Sequence, residues 1–251
     1  MSLRPRAAIR QYKRAQWGIK NLNRFSAVIS PCTDAANRFL SAGLLAKTSH
    51  VLPYFCPTPL LEQPRLAPKN LQLTFLGRIR DYKGYDFFVD AVSRIPNVKG
   101  VLVGDFNPKS TDLVEALARR VGCLDRIECR AWCSRGELTQ LMAETTVFVF
   151  PSIWPETLGI VGLEAMANGV PVVAFDVAGV REWLVPGKTG AMVPVKDTAA
   201  MVSAIASILA DEELAARMGE AAIDRIRAKF LPSDHFDSLV QIYQTAKTGN
   251  S

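Results

Sequence analysis

Two glutamates eight positions apart, Glu156 and Glu164, bracket a glycine-rich stretch that reads Pro151-Ser-Ile-Trp-Pro-Glu-Thr-Leu-Gly-Ile-Val-Gly-Leu-Glu-Ala-Met-Ala-Asn-Gly-Val-Pro171. The apolar run before it reads as a strand and the small residues after it as a helix, so the glycines sit at a helix start. Unpaired backbone N–H groups there, reinforced by the helix dipole, form an anion site. Leu158, Gly159, Ile160 and Val161 would present those amides, and Gly159 and Gly162 are expected to let a ligand come close to the backbone. A carboxylate at Glu164 can accept two hydrogen bonds from a ribose diol. Glu156, in the loop, can do the same for a sugar hydroxyl or face positive charge developing at an anomeric carbon. Either glutamate alone would read as a solvated loop residue or a dipole-stabilised carboxylate; the pair, around glycines and behind a buried strand, favours binding.

A second segment, Phe75-Leu-Gly77-Arg78-Ile-Arg-Asp-Tyr-Lys83-Gly84, puts two cations just past another strand. An arginine can grip a diphosphate with two parallel hydrogen bonds, and a lysine adds a compact charge. On their own, Arg78 and Lys83 would be surface cations in a turn. A third loop, Val103-Gly104-Asp105, carries a glycine where a ligand would need close approach, which is weak evidence by itself.

These loops need a framework, and the chain between residues 71 and 193 supplies a regular one. Apolar strands are predicted at 71–76, 100–103, 126–131, 146–150, 170–174 and 191–193, alternating with helices at 85–95, 111–121, 135–143 and 158–168. Continuously apolar strands separated by helices indicate a parallel sheet covered on both faces, a doubly wound Rossmann-like α/β fold whose ligand lies beyond the carboxyl ends of the strands. Helices capped by Asp197 and Asp211 follow, and a last one over 234–245 carries Phe236, Leu239, Val240 and Tyr243 as one stripe that must bury against something. Upstream, 27–30 and 50–52 read as short strands around a helix at 33–43 capped by Thr33 or Asp34. The prolines from Pro53 to Pro68 mark an extended linker. The expected division is 1–52, 53–70, 71–231 and 232–251.

Composition narrows the chemistry further. With 49% hydrophobic and 22% charged residues the 251-residue chain is an ordinary globular protein. No apolar run is long enough for a bilayer and no signal-peptide core is evident, so a cytoplasmic protein is expected. Five cysteines without a CxxC pair read as reduced thiols, and a metal role for Cys129 and Cys133 is disfavoured; His50 and His235 are the only histidines. The net charge of +6 belongs to the N-terminus: Arg4, Arg6, Arg10, Lys13, Arg14, Lys20 and Arg24 precede the first acid, Asp34, leaving 23 basic against 24 acidic residues elsewhere. That predicted basic helix over 5–24 is read first as a solvated face or one that packs on a further domain. Weak contact with an anionic membrane at the inner face stays open, and nucleic acid is not an expected partner.

The order Gly-Arg…Lys-Gly, Gly-Asp, then Pro-Ser…Glu-x7-Glu-Ala-Met-Ala-x-Gly-x-Pro-Val-Val resembles the retaining GT-B glycosyltransferases of group 1, over roughly 71–229. The resemblance implies that Arg78 and Lys83, with Gly77 and Gly104 near them, bind the diphosphate of a nucleotide-sugar donor. It implies Glu156 at the donor sugar, the backbone of Leu158 to Val161 at the diphosphate and Glu164 at the ribose. The stretch Ala131–Cys133, with Trp132, would face the nucleobase. Catalysis would fall to Glu156, Arg78 and Lys83, with no cofactor and no metal. Three departures stand out: the usual Glu-Gly-Phe-Gly reads Glu156-Thr-Leu-Gly159, Pro-Asn-Gly reads Pro53-Tyr-Phe, and Gly-Gly before a glutamate reads Ala178-Gly179-Val-Arg-Glu182. Residues 1–52 resemble only the end of the family's acceptor-binding N-terminal half. The expected chain thus binds donor, turns over poorly without that half, and exposes an apolar stripe through which it could pair with a second copy. Rival readings are a non-catalytic nucleotide-sugar scaffold, an adaptor built on the basic helix, and an epimerase of the same fold, which would lack the Glu-x7-Glu block.

Overall fold

The computed structural model describes residues 5–60, 65 and 68–248; Arg4, Pro64 and residues 249–251 lie outside them. The basic helix α1 (Pro5–Leu22) leads into β1 (Val28–Ser30), α2 (Thr33–Ser41) and β2 (Ser49–Val51), and β1 and β2 pair in parallel. The cap of α2 is Cys32, whose Sγ accepts from the Ala35 amide at 3.4 Å, not Thr33 or Asp34. The chain turns one residue earlier than the usual capping residues suggest, so the sulfur takes the place of the expected oxygen.

The main sheet is built from β3 (Gln72–Leu76), β4 (Lys99–Gly104), β5 (Ile127–Ala131), β6 (Val147–Phe150), β7 (Val172–Phe175) and β8 (Gly190–Val193). Its order is β5-β4-β3-β6-β7-β8 and every pairing is parallel. All residues of β3, β6 and β7 are buried, as expected of strands covered on both sides. The connecting helices are α3 (Tyr85–Arg94), α4 (Pro108–Arg120), α5 (Arg135–Glu144), α6 (Ile160–Ala167) and the short α7 (Val180–Trp183), which the sequence reading missed. From β3 the chain winds outward through β4 to β5, then returns to β6 on the other side of β3 and winds the opposite way. Right-handed crossovers therefore place α3 and α4 on one face and α6 on the other. The reversal lies between β3 and β6, and an open sheet of this kind parts its loops there to leave a crevice.

Two helix starts differ from expectation. The helix α4 begins at Pro108 because Asn107 caps it in a reciprocal capping box with Ser110 and proline is well suited to the first turn. The helix α6 begins at Ile160, not Leu158, because Gly159 is in the left-handed region at φ 87°. After β8 come α8 (Thr198–Leu209) and α9 (Glu212–Lys229), capped by Asp197 and Asp211 as read, then α10 (Pro232–Thr248). On α10, Phe236 touches the ring of Phe55 at 5.5 Å, but Phe236, Val240 and Tyr243 stay exposed, so within the described residues the stripe is not buried. The upstream unit is held by Glu182, which accepts from the Thr33 amide at 2.6 Å, and the linker after it by the Cys56 amide, which donates to the Phe230 carbonyl at 2.9 Å.

Candidate functional site

At the carboxyl ends of β3 and β6 lies an open cleft of about 580 Å³ lined by Gly77, Arg78, Lys83, Trp132, Glu156 and Leu158 to Val161, among others. The two loops forming its walls are fastened to each other. The Tyr82 carbonyl accepts from the Ile153 amide at 3.0 Å. Gly84, at φ 75°, lies so close to the Pro151 carbonyl that a Cβ there would overlap it. This fastening brings Lys83 to Glu156: Nζ donates to Oε1 at 2.6 Å, and the same oxygen accepts from Ser152 Oγ at 2.7 Å. The lysine and glutamate side chains are 26% and 13% exposed, so the pair is largely removed from water. Ser152 stood in the quoted motif without a role; its spacing to Glu156 was the available signal.

Arg78 is exposed on the cleft wall, and its loop is tethered from behind. Asp105 Oδ1 accepts from the Ile79 amide at 2.7 Å and Oδ2 pairs with Arg80 at 3.0 Å. Gly104 does not line the cleft. Its missing Cβ is explained by the Gly77 carbonyl, which an ideal Cβ would meet at 2.1 Å, so the close approach is of backbone to backbone and not to a ligand. Gly162 is likewise a packing residue: an ideal Cβ there would meet the Trp183 ring at 2.5 Å. Gly159 does line the cleft, and the turn it makes is fixed by Trp183, whose Nε1 donates to the Leu158 carbonyl at 2.6 Å. Trp183 is fully buried and was not singled out from sequence.

Asp105→Ala is expected to destabilise the chain by about 1–3 kcal/mol, since a backbone amide and a guanidinium both lose a charged acceptor. It should also weaken ligand binding in the cleft although Asp105 does not line it. Urea denaturation and nucleotide titration of the same variant check both parts; an unchanged affinity would show that Arg78 and Lys83 hold their positions without the tether.

Glu164 is displaced from the cleft lining. It lies partly buried on α6, its Oε1 accepting a long 3.4 Å hydrogen bond from Thr58, and burial pushes its carboxyl above the usual range against the weaker pulls of Thr58 and Arg135. Cys133 also falls outside the cleft, in a neighbouring 470 Å³ cavity with Arg130, Glu137 and Glu144. Trp132 borders both spaces, and is half exposed. All five cysteines are unpaired; burial raises Cys56 and Cys129 to about 11, which keeps both as neutral thiols.

A nucleotide-sized crevice at the reversal point, with paired and tethered charges around a glycine-started helix, has recognisable relatives. The family described as Glycosyl transferases group 1 matches residues 59–225. This chain belongs to that family. Among group 1 relatives, an alpha-D-kanosaminyltransferase of Streptomyces kanamyceticus is 30% identical, with 92% of this chain and 63% of the relative covered. The lipopolysaccharide core biosynthesis glycosyltransferase LpsE of Rhizobium meliloti is 30% identical over 72% of this chain and 51% of its own length. The chain thus spans between half and two thirds of these relatives. Sucrose-phosphate synthase from Thermosynechococcus elongatus has a TM-score of 0.84 at 25% identity, covering 95% of this chain and 62% of the other. Anabaena HepE in complex with UDP and glucose has a TM-score of 0.82 at 21% identity, covering 93% and 67%. The group 1 chain therefore has the GT-B glycosyltransferase fold. Among the described residues no helix is long and apolar enough to cross a membrane.

Proposed function

We propose that this chain is the donor-binding half of a retaining glycosyltransferase that moves a hexose from a nucleoside diphosphate sugar to an acceptor. The observation that carries the reading is the Lys83–Glu156 pair in the cleft, beside Arg78 and the start of α6. As the glycosidic bond breaks, negative charge gathers on the departing diphosphate. Arg78, Lys83 and the first amides of α6 meet that charge from fixed positions, so little reorganisation is needed during the reaction. Glu156 is placed to hold a hydroxyl of the donor sugar, and Ser152 orients its carboxylate. Trp132 offers a ring face to the nucleobase, and Glu164, on α6 just outside the cleft lining, is assigned to the ribose by the Glu-x7-Glu resemblance. In this reading Arg78 and Lys83 supply the positive charge that the diphosphate needs, and no metal is assigned a role. Retention of configuration follows the Glu-x7-Glu resemblance, and closure of a further half over the cleft would exclude water.

Calorimetric titration of UDP, GDP and ADP, and of their hexose conjugates, tests this reading. One diphosphate should bind saturably, and Glu164→Ala should weaken it at least tenfold; no binding of any of them to the folded chain would overturn it. Glu164→Gln adds a pH signature. The unfolded chain releases this proton near the ordinary carboxylate pKa, about 4.3, whereas the folded chain keeps it to a higher pH. Stability is therefore fully present below that pH and falls as pH rises through the raised folded value. The glutamine variant should melt higher than the parent at neutral pH, match it near pH 4, and bind nucleotide less well throughout. A lower melting temperature at neutral pH would show that the carboxylate is stabilised where it lies.

A further inference from the structure

Exposed aromatic rings border the cleft at Trp132, at Tyr54 and at the Tyr82–Trp154 pair, and the donor-binding reading gives the nucleotide only Trp132. Trp132 follows β5 and Trp154 follows β6, with β4 and β3 between them. Three strand spacings separate these ends, roughly 14 Å, about the reach of a nucleoside diphosphate laid across the sheet. A base at Trp132 places the diphosphate at Arg78, Lys83 and the start of α6, and the sugar at Glu156. The other end remains.

There, Tyr82 and Trp154 stand on the two fastened loops, next to Lys83 and two residues before Glu156. Their ring centroids are 5.5 Å apart with planes inclined at 53°, which forms a shallow wedge instead of a closed stack. Both rings border the cleft, and Trp154 is 56% exposed. The wedge is rigid at its base because the Tyr82 carbonyl accepts from the Ile153 amide and Gly84 packs against the Pro151 carbonyl. Wide aromatic faces left in water beside a polar cluster are costly to keep and fit a ligand with one apolar and one polar side. A pyranose is such a ligand: its axial C–H face lies flat on a ring while its hydroxyls turn to neighbouring polar groups.

Resting on the donor-binding reading, we propose that Tyr82 and Trp154 form a carbohydrate platform beyond the donor sugar, and that the acceptor presented there is a pyranoside. The platform holds the acceptor ring edge-on to Glu156, so that one of its hydroxyls faces the donor's anomeric carbon. Tyr82 and Trp154 are positioning residues in this scheme and take no part in the bond changes.

The indole N–H resonances of the chain test this by two-dimensional NMR, with Trp154 assigned through Trp154→Phe. Maltose is titrated with and without UDP, and sorbitol, which has the hydroxyls but no rigid C–H face, serves as control. Maltose should move the Trp154 signal saturably and sorbitol should not. Tyr82→Ala should weaken that response at least fivefold, and Tyr82→Phe should restore it. A Trp154 signal indifferent to maltose, or moved equally by sorbitol, overturns the platform, as does an unchanged response in Tyr82→Ala. UDP is read separately at Trp132. Loss of the UDP response with a surviving maltose response sinks the donor reading and leaves the platform, while the reverse pattern does the opposite.

Discussion

Replacing Gly84 with alanine should cost about 3 kcal/mol or more of stability and take nucleotide binding with it, whereas Gly122→Ala should cost only about 1–2 kcal/mol. The two glycines have nearly the same backbone, at φ 75° and φ 76°, so the left-handed penalty for a side chain is common to both. They differ in surroundings. Nothing lies within 4 Å of a Cβ at Gly122, while a Cβ at Gly84 would sit 1.9 Å from the Pro151 carbonyl oxygen. That carbonyl belongs to the loop that carries Ser152 and Glu156, and the overlap can be relieved only by parting the two walls of the cleft. Urea midpoints for the two variants, compared at equal slope, isolate the contact from the conformational term. Equal losses would mean that the loops separate freely and that their fastening contributes little.

Lys83→Met should lower UDP affinity by about 30–100-fold, the scale of losing a largely desolvated charge contact of 2–3 kcal/mol. Glu156→Gln should act in the opposite direction on the same ligand. Without nucleotide, Lys83 is committed to Glu156 at 2.6 Å, and an arriving diphosphate must compete with that carboxylate. The glutamine variant frees the ammonium, so UDP alone should bind severalfold tighter, while the preference for UDP-hexose over UDP disappears with the lost sugar contact. Lys83→Met should also be less stable, because Glu156 then keeps Ser152 but loses its counter-charge. Calorimetry with UDP and UDP-glucose on the three proteins separates these effects. A weaker UDP complex in Glu156→Gln would show that the carboxylate helps bind the diphosphate side by orienting Lys83, not by competing for it.

Much of the framework follows from local pattern. Short, β-branched and aromatic apolar runs such as 147–150 and 172–175, bounded by turn residues, read as strands covered on both faces, and the acids at 197 and 211 announce the helix starts they cap. The chemistry of the loops is also written locally, since Arg78, Lys83, Glu156 and the glycines identify an anion site by type and spacing. What the sequence could not assign is which of these groups meet. Lys83 and Glu156 are 73 positions apart and touch because β6 returns to pair with β3 after two intervening strands, a choice made by sheet order and crossover handedness.

The glycines divide along the same line. A missing side chain reads identically in sequence whether a ligand, a carbonyl or an indole fills the space. Only the fold shows that Gly159, at the cleft wall, makes room for the Phe150 ring, Gly104 for the Gly77 carbonyl and Gly162 for Trp183. The sequence by itself determined the fold class, the family and the kinds of group the site contains. Tertiary structure decided the pairing of Lys83 with Glu156, the retreat of Glu164 to the flank and the Tyr82–Trp154 wedge. Each of these depends on contacts between segments far apart in the chain, and local spacing carries no information about their distance.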